Sequence, residues 1–377
     1  MKKIVLVKLL LFLIILQSCS DQRFEQNLEV KRSLNGFNDK VDSIVIHKMN
    51  EYNIPGLSIG LVRNDSVIYA RGYGIRNIKE NNPVSEHTIF HTASVSKLFT
   101  SSAIVKLTND GLLSLDDKLY KVIPELQFND ERIKKISIKD LLNHTSGLPD
   151  VGNYHWENNN QSDTSLKEYV VSLNLKLESE PSLTYSYSNL GYNLLGYAIE
   201  KKTKSSFEDY LKNNILNPSG MDFSDFRYFY IHDSLTSSPH SKNKIFGNAY
   251  ERDTYPYTRE HAASSTLNAS AIELSKWMIH FLKESKRNTP GNNYSLMLKP
   301  ASAKFSQIGL GFQQYDFDSN HAVGHYGGDK GFRSFLMMIP EENIGLVVLG
   351  NCDYDEDFRQ EIIHPIAKLM LTINKAH

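Results

Sequence analysis

The spacing of apolar residues divides the chain into a mixed beginning, a helical middle and a strand-rich end. Residues 34–53 carry apolar side chains at helical spacing, from Phe37 to Tyr52, and predict an amphipathic helix. Residues 57–62 and 66–70 are β-rich runs joined by a polar tripeptide, which is a hairpin pattern. The chain therefore begins with a helix and two strands, before a further apolar run that follows residue 94.

The middle of the chain, from about residue 101 to residue 286, is predicted to be mainly helical with long polar connections. Apolar residues recur at helical spacing in residues 138–142, 188–199 and 264–282. Residues 152–165 and 230–258 are too polar to place, and we predict that they are loops or lids.

After residue 300 the pattern changes to that of strands. Residues 309–317, 321–326, 332–339 and 344–349 are predicted strands, with turns at 318–320, 327–329 and 340–343. A last helix is predicted from about residue 356 to residue 373, kinked or divided at Pro365. Because strands occur near both ends, we predict one sheet built from both termini. Residues 34–100 and 300–377 would form an α/β sandwich subdomain, and residues 101–299 a mainly helical one.

The N-terminus has the pattern of a targeting segment. Lys2 and Lys3 precede an apolar run at residues 4–16, which is too short to span a membrane comfortably. The run ends Leu16-Gln17-Ser18-Cys19, which resembles the lipobox of bacterial lipoproteins. We therefore expect residues 1–18 to be a lipoprotein signal peptide, Cys19 to be lipidated and residues 19–33 to be a tether. The expected location is the bacterial cell envelope, outside the cytoplasm; the alternative is a plain signal peptide with an incidental cysteine.

Composition excludes some functions. Lys and Arg number 42 against 43 Asp and Glu, so nothing favours nucleic acid as a partner. The chain has two cysteines, and lipidation of Cys19 would leave no internal disulfide, with Cys352 as a structural thiol. His321 and His325 have a spacing that could suit a metal on a helix, but the glycines beside them argue against a helix there. We expect no metal and no organic cofactor.

The candidate chemistry begins with Ser94 and Lys97, at the start of the apolar run 98–107. On a helix, positions i and i+3 share a face, so the Lys97 amine could reach the Ser94 hydroxyl and take its proton. A lysine with its usual pKa of about 10.4 is a poor base, but burial at a helix N-terminus favours the neutral amine. An ordinary first helical turn is the alternative. A second such spacing, Ser241 to Lys244, lies in a polar run and is predicted to be a solvated loop.

Two further motifs follow the first in order along the chain. Ser94-Val95-Ser96-Lys97, Tyr187-Ser188-Asn189 and His325-Tyr326-Gly327 together resemble the three motifs of serine hydrolases related to class C β-lactamases, D-specific carboxypeptidases and aminopeptidases. The strings at residues 141–149 (LLNHTSGLP) and 187–199 (YSNLGYNLLGYAI) add to the resemblance. It covers roughly residues 54–349.

The resemblance implies a fold and a set of roles. The implied fold is α+β, of the β-lactamase/transpeptidase type: an antiparallel sheet flanked by the N- and C-terminal helices, with an inserted mainly helical domain. Ser94 would be the acylated nucleophile, Lys97 its proton partner and Tyr187 the relay to the leaving group, with its pKa lowered by Lys97. Asn189, His325, Tyr326, Gly327 and Gly328 would bind the substrate. The N–H groups of Ser94 and Gly328 would form the oxyanion hole.

Two departures from the family pattern bear on the substrate. His325 and Tyr326 stand where β-lactamase and DD-peptidase relatives usually have Lys and Thr, and a mostly neutral histidine is a weak anchor for a terminal carboxylate. Residues 262–266 stand where relatives often carry a glycine pair, so the cleft wall is expected to differ.

The expected function is therefore that of an envelope serine hydrolase acting on a small peptide, an ester or a cell-wall-derived substrate. The alternatives are a D-Ala-D-Ala carboxypeptidase or β-lactamase and, from another class, a non-catalytic lipoprotein that binds peptidoglycan or peptides.

Overall fold

The structure is a computed structural model that describes residues 36–243, 245, 247–289, 291–355 and 357–373. Its internal contacts divide the chain into residues 1–47 and residues 48–377. The described part of the first unit, residues 36–47, is helical. The predicted signal peptide (1–18), the lipidation of Cys19 and the tether (19–33) lie outside the described residues and stay predictions. No helix within the described ranges is long and apolar enough to cross a membrane.

The second unit is built on a seven-stranded antiparallel sheet, in which the strand order is β10-β11-β12-β13-β1-β2-β3. Short strand pairs, β4 with β9, β5 with β6 and β7 with β8, lie outside this sheet. The strands are β1 (Gly56–Arg63), β2 (Ser66–Asn77), β3 (Asn82–Pro83), β4 (Ile89–His91), β5 (Gln127–Phe128), β6 (Asn174–Leu175), β7 (His240–Lys242), β8 (Ala249–Glu251), β9 (Asn268–Ser270), β10 (Gln313–Phe317), β11 (Asn320–Asp329), β12 (Phe332–Ile339) and β13 (Ile344–Gly350).

The helices of the described residues are numbered in chain order. A helical stretch at residues 36–52 is α1. The others are α2 (Ser96–Asn109), α3 (Leu119–Val122), α4 (Ile138–Leu142), α5 (Ser165–Ser172), α6 (Asn189–Thr203), α7 (Phe207–Leu211), α8 (Ala262–Ser265), α9 (Ala271–Ser285), α10 (Tyr294–Met297) and α11 (Phe358–Ile373).

The sheet joins strands from both ends of the sequence. β1 lies between β2 and β13, with Leu57 opposite Gly350 and Arg63 opposite Ile344. β1 and β13, in the middle of the sheet, are almost wholly buried because helices cover the two faces of the sheet. This confirms the predicted fold class, a mixed α/β fold with a large antiparallel sheet.

The two faces carry different helices. α11 packs against β12 and β13, while α9 packs against β1, β2 and β13. The contact between α9 and β1 is close because residue 60 is a glycine. A Cβ at Gly60 would lie 2.2 Å from Ser275 Oγ of α9. α9 thus packs on the sheet although its residues fall in the stretch predicted to be the helical subdomain; the predicted subdomain boundaries stay a prediction.

Several predicted elements differ in the structure. The single helix predicted at 264–282 is wrong: the chain forms α8, then β9, and Ser270 caps α9 by accepting the Glu273 N–H. The predicted turn at 327–329 is wrong as well, because β11 continues to Asp329 and the chain turns at Gly331, whose φ is +88°. β10 begins at Gln313 rather than 309. α11 runs undivided through Pro365, and the predicted start at residue 356 lies outside the described residues.

Candidate active site

Ser94 lies in a tight turn that leads into α2. Residues Ala93–Val95 form a 3₁₀ turn, and the α-helix begins at Ser96, so Ser94 lies just before the helix rather than in it. Ala93 has a left-handed backbone with a φ of +48°, which is strained for a residue with a side chain. The Ser96 hydroxyl donates to the Ala93 carbonyl at 2.6 Å and accepts the Leu267 N–H, which fixes the turn. In this turn Ser94 is partly exposed, whereas its neighbours from residue 91 to residue 100 are buried.

Lys97, one helical turn later, is fully buried beside Ser94. Its Nζ lies 3.0 Å from Ser94 Oγ, 2.6 Å from Asn189 Oδ1 and 2.7 Å from the Ser264 carbonyl oxygen. Burial lowers the pKa of Lys97 to about 7, although the carboxylates of Asp329 and Asp150 oppose the shift. The amine is therefore a base near neutral pH, as the sequence predicted from its position.

The hydrogen bonds around the amine suit its neutral form as well as its protonated form. Two of its partners, Asn189 Oδ1 and the Ser264 carbonyl, can only accept, so they take the two N–H groups of a neutral amine. The protonated amine donates its third N–H to Ser94 Oγ, whereas the neutral amine turns its lone pair to the Ser94 hydroxyl, which can donate its proton to it. The neutral amine thus fills all its hydrogen-bonding positions and is aligned to deprotonate Ser94.

Tyr187 completes the contacts of the nucleophile. Its hydroxyl donates to Ser94 Oγ at 2.9 Å. Burial raises the pKa of Tyr187 well above its usual value of 10, and the hydrogen bond with Ser94 opposes this only in part. The prediction that this pKa is lowered is therefore wrong, because desolvation dominates the shift. Tyr187 remains a neutral phenol that can donate or relay a proton rather than act as a base.

Asn189 connects Lys97 to a carboxylate. It is the first residue of α6, whose N-cap Ser188 accepts the Gly191 N–H. The Asn189 backbone N–H donates to Asp150 Oδ1 at 2.6 Å, and its Nδ2 donates to Asp150 Oδ2 at 3.1 Å. This pair of bonds orients the amide so that its oxygen faces Lys97. Asp150 was missed from the sequence, since nothing in its neighbourhood marks it as more than a loop residue after Pro149.

The third motif lies on β11, where alternate side chains point to opposite faces of the sheet. His325 and Gly327 lie on the face that carries Ser94, and the His325 ring is 6.2 Å from that of Tyr187. Tyr326 points to the other face, where it stacks on Phe335 at 3.9 Å and accepts a hydrogen bond from Gln360 of α11. The structure does not bring the Tyr326 side chain to the groups around Ser94.

Glycine at 327 and 328 serves two different needs. A Cβ on Gly327 would lie 2.2 Å from the Thr92 carbonyl oxygen and 2.2 Å from Ser334 Oγ, so this position lets β11 contact the turn before Ser94. β10 pairs with β11 only up to Gly324, and the Tyr326 N–H points to that edge, where it donates to Gln313 Oε1. Because N–H groups two residues apart share a side, the Gly328 N–H also points to the edge that β10 leaves uncovered.

His325 is neutral and almost completely buried. Burial and, to a smaller extent, the nearby Lys97 lower its pKa to about 3. Its Nδ1 donates to its neighbour's carbonyl oxygen, the Tyr326 O, at 2.6 Å. Its Nε2 therefore carries a lone pair, and this atom has no hydrogen-bond partner among the described residues. A carboxylate of the substrate would find no positive charge on this side chain.

Comparisons with known proteins identify the family of this chain. A sequence profile of the Beta-lactamase family matches residues 41–369. The chain belongs to the Beta-lactamase family. It is similar to Protein flp of Staphylococcus aureus, with 29% identity over 85% of this chain and 64% of that protein, and so spans somewhat less than two thirds of that relative. It is also similar to Penicillin-binding protein 4* of Bacillus subtilis, with 24% identity over 79% of this chain and 68% of that one.

Among solved structures, the octameric penicillin-binding protein homologue from Pyrococcus abyssi has a TM-score of 0.76 and 28% identity with this chain. The match covers 89% of this chain and 77% of that one. Members of the Beta-lactamase family are generally serine hydrolases. The contacts of Ser94, Lys97 and Tyr187 described above fit that general chemistry.

The position where family relatives often carry a glycine pair is occupied by α8. The Ala263 side chain faces Gly196 of α6, where an added Cβ would lie 2.6 Å from the Ala263 Cβ. The next residue, Ser264, contributes the carbonyl that accepts from Lys97. Glycine at position 196 therefore allows α6 to pack closely against α8 in this cleft wall. The role of a main-chain carbonyl could not be identified from residue type.

A polar loop reaches both sides of the site. Burial raises the pKa of Tyr154 above 10, and a hydrogen bond with Asn189 opposes the shift in part. Trp156 lies under the Lys330 ammonium, 5.4 Å from the ring centre, and Lys330 follows β11. Residues 154–156 of the predicted loop or lid thus contact both the start of α6 and the end of β11.

Neither metal nor cysteine chemistry is indicated by the described residues. Among them, no group of three or more His, Cys, Asp and Glu side chains could hold a metal ion. Cys352 is buried, and burial raises its pKa to about 12, as expected for a structural thiol. The second Ser-Lys spacing was wrongly predicted to be a solvated loop. Ser241 is buried in β7 and donates to Asp353, while Lys244 lies outside the described residues.

Proposed function

We propose that this chain is a serine hydrolase of the cell envelope that cleaves an amide or ester through an acyl-enzyme on Ser94. The observation that carries the proposal is the position of Ser94 Oγ, which lies 3.0 Å from Lys97 Nζ and 2.9 Å from the Tyr187 hydroxyl. With its pKa lowered to about 7 by burial, the Lys97 amine is available as a base at neutral pH.

Acylation would proceed in two stages. The Ser94 hydroxyl gives its proton to the neutral Lys97 amine while its oxygen bonds to the carbonyl carbon of the substrate. The carbonyl oxygen becomes an oxyanion, for which the Ser94 and Gly328 N–H groups are the donors. The intermediate then expels the leaving group, which takes a proton from Tyr187 as the phenol takes one from Lys97. Water later hydrolyses the acyl ester and restores Ser94.

The substrate we propose is a small peptide, an ester or a cell-wall-derived compound whose recognition does not depend on a terminal carboxylate. The support is that His325 is neutral, with a pKa lowered to about 3 by burial. The charged side chains that act on Lys97 are the carboxylates of Asp329 and Asp150, and they would repel a carboxylate of the substrate.

A second candidate is a D-Ala-D-Ala carboxypeptidase or β-lactamase. It is favoured by the names of two similar proteins, the Bacillus subtilis Penicillin-binding protein 4* and the Pyrococcus abyssi penicillin-binding protein homologue. The candidate of another class, a non-catalytic lipoprotein that binds peptidoglycan or peptides, would need no amine of lowered pKa beside a serine.

The test is the intact mass and turnover of the chain from residue 20 onward with a p-nitrophenyl ester and, separately, with a penicillin. We expect ester turnover in the wild type and none in Ser94→Ala. Ser241→Ala is the matched control, since Ser241 begins the other Ser-Lys spacing but bonds Asp353 instead. A penicillin adduct that depends on Ser94 would move the proposal to the second candidate. No reaction of Ser94 with either compound would favour the binding protein.

The envelope location is a separate proposal that rests on the sequence around Cys19. We expect the full chain, expressed in a bacterium, to incorporate labelled fatty acid and to fractionate with membranes. Cys19→Ser should abolish the label. Incorporation of label by the Cys19→Ser variant would contradict lipidation at this residue.

A further inference from the structure

One histidine contacts the chain on both sides of Tyr187. The backbone carbonyl of His144 accepts the Ser186 N–H at 2.9 Å, and its ring Nδ1 accepts the Ser188 N–H at 3.1 Å. The same ring stacks on the Tyr187 ring, with 4.3 Å between centres and 30° between planes. A single residue thus binds the backbone before Tyr187, the backbone after it and the face of its ring.

The backbone of His144 is strained. It follows α4 with a φ of +58°, in the left-handed region where glycine or asparagine is usual after a helix. For a residue with a larger side chain, this conformation is unfavourable because the Cβ lies too close to the following carbonyl oxygen. Backbone strain at a site next to a reacting group suggests that the side chain at that position is needed.

The hydrogen bonds of His144 fix its tautomer. A backbone N–H can only donate, so Nδ1 must be bare and the proton must be on Nε2. Burial lowers the pKa of His144 well below 6.5, with smaller contributions from Lys97 and His325, so the ring stays neutral. Nε2 is buried and has no partner among the described residues. A phenylalanine would stack on Tyr187 without burying this N–H group, so the Nδ1 acceptor distinguishes histidine at this position.

From these contacts we propose that His144 is a positioning residue, which holds the Tyr187 hydroxyl against Ser94 Oγ. The proposal rests on the proposed function, because Tyr187 matters only if Ser94 is acylated. His144 makes no hydrogen bond with Ser94 or Lys97, and its ring stacks directly on Tyr187, so we expect its main effect on the reaction to pass through Tyr187.

Two variants separate the contacts. His144→Asn retains an acceptor where Nδ1 lies and suits a left-handed backbone, but it removes the ring. His144→Phe retains the ring and removes the acceptor. Because a small displacement of a catalytic group costs up to about 100-fold in rate, we expect each variant to lower kcat for a p-nitrophenyl ester by roughly 10- to 100-fold. KM should change little.

The decisive measurement repeats both changes in a Tyr187→Phe background. If His144 acts through Tyr187, its replacement should cost less than about threefold there, because contacting residues are not additive. His240→Asn is the matched control. His240 is also buried and also accepts a backbone N–H, from Ile78, but bonds Asn351 rather than the site. It should lower thermal stability and leave kcat of the folded protein within about threefold of wild type.

The outcomes are distinct. The same loss of kcat with and without the Tyr187 hydroxyl would mean that His144 only stabilises the fold, and would overturn the positioning role. A wild type without Ser94-dependent ester turnover would instead overturn the proposed function, and the positioning role with it. His144→Asn keeps the proposal testable if His144→Phe does not fold, since asparagine tolerates a positive φ.

Discussion

The protonation of Lys97 should respond to the removal of a carboxylate that lies beyond Asn189. Acylation needs the neutral amine, so kcat/KM should rise with pH and reach half its maximum near pH 7, where burial places the pKa of Lys97. The Asp150 carboxylate favours the protonated amine and so raises this pKa. Asp150→Asn should therefore lower the pKa of Lys97 and move the midpoint of the profile to lower pH.

The size of the shift follows from the bridge between the two groups. Lys97 Nζ lies 2.6 Å from Asn189 Oδ1, and Asn189 Nδ2 lies 3.1 Å from Asp150 Oδ2. At the roughly 8 Å that this bridge allows, Coulomb's law gives about 0.5 kcal/mol in bulk water and about 2 kcal/mol at an effective dielectric constant of ~20. One pKa unit is about 1.36 kcal/mol, so the midpoint should move down by about 0.4 to 1.5 pH units.

The assay is kcat/KM for a neutral p-nitrophenyl ester across the acid and neutral range, at constant ionic strength. Asp116→Asn is the control: Asp116 is exposed beyond the far end of α2, so the same loss of charge should leave the midpoint in place. A midpoint that stays or moves to higher pH in Asp150→Asn would refute the assignment of the titration to Lys97. So would an equal shift in Asp116→Asn.

Three further predictions concern single residues of the site. Folding lowers the pKa of Lys97 to about 7, so between pH ~7 and ~10 the unfolded chain binds a proton on Lys97 that the folded chain does not. The free energy of unfolding of the wild type, measured with urea, should therefore rise with pH over this range relative to that of Lys97→Met. Tyr187→Phe should lower kcat by about 100-fold or more. Because burial raises the pKa of Tyr187, the phenol should stay protonated below pH ~10, and the wild-type kcat should not decrease from its ionisation there. Gly327→Ala, with its Cβ 2.2 Å from the Thr92 carbonyl oxygen, should cost about 1–3 kcal/mol of unfolding free energy and lower turnover, unlike Gly152→Ala in open space.

The sequence predicts those parts of the site that depend on local spacing. Ser94 and Lys97 are three residues apart at the start of an apolar helix, and one helical turn brings their side chains together wherever the helix packs. The antiparallel sheet is predictable for a similar reason, since strand patterns occur at both ends of the chain. The first prediction rests on residues that are close in sequence. The second rests on strand patterns that are each local, although β1 pairs with β13 from the other end of the chain, and the structure confirms the fold.

The parts that sequence did not predict depend on contacts between distant segments. Asp150 acts through Asn189, which is 39 residues away, and His144 contacts Ser188 across 44 residues. Ser264 contributes only a carbonyl oxygen, which every residue has. The sign of the Tyr187 pKa shift was wrong for the same reason, because the extent of burial depends on how the whole cleft packs.

The turn predicted at residues 327–329 was wrong because glycine has two uses in a strand pattern. Consecutive glycines suggest a turn, yet Gly327 and Gly328 continue β11, where one allows contact with the turn before Ser94 and the other lies at the open edge. Because β11 continues through residue 329, its side chains point alternately to the two faces of the sheet. His325 therefore faces Tyr187, while Tyr326 faces α11.

This alternation bears on how charge would be stabilised during the reaction. His325 is neutral, Lys97 is largely neutral above pH 7, and the charged side chains that act on Lys97 are the carboxylates of Asp329 and Asp150. An oxyanion formed at Ser94 would therefore depend on oriented backbone N–H groups more than on formal positive charge, and such donors are effective only when held in place. That requirement gives a common reason for the strained turn at Ala93 and for the glycine at 327, since both bring the start of α2 against β11.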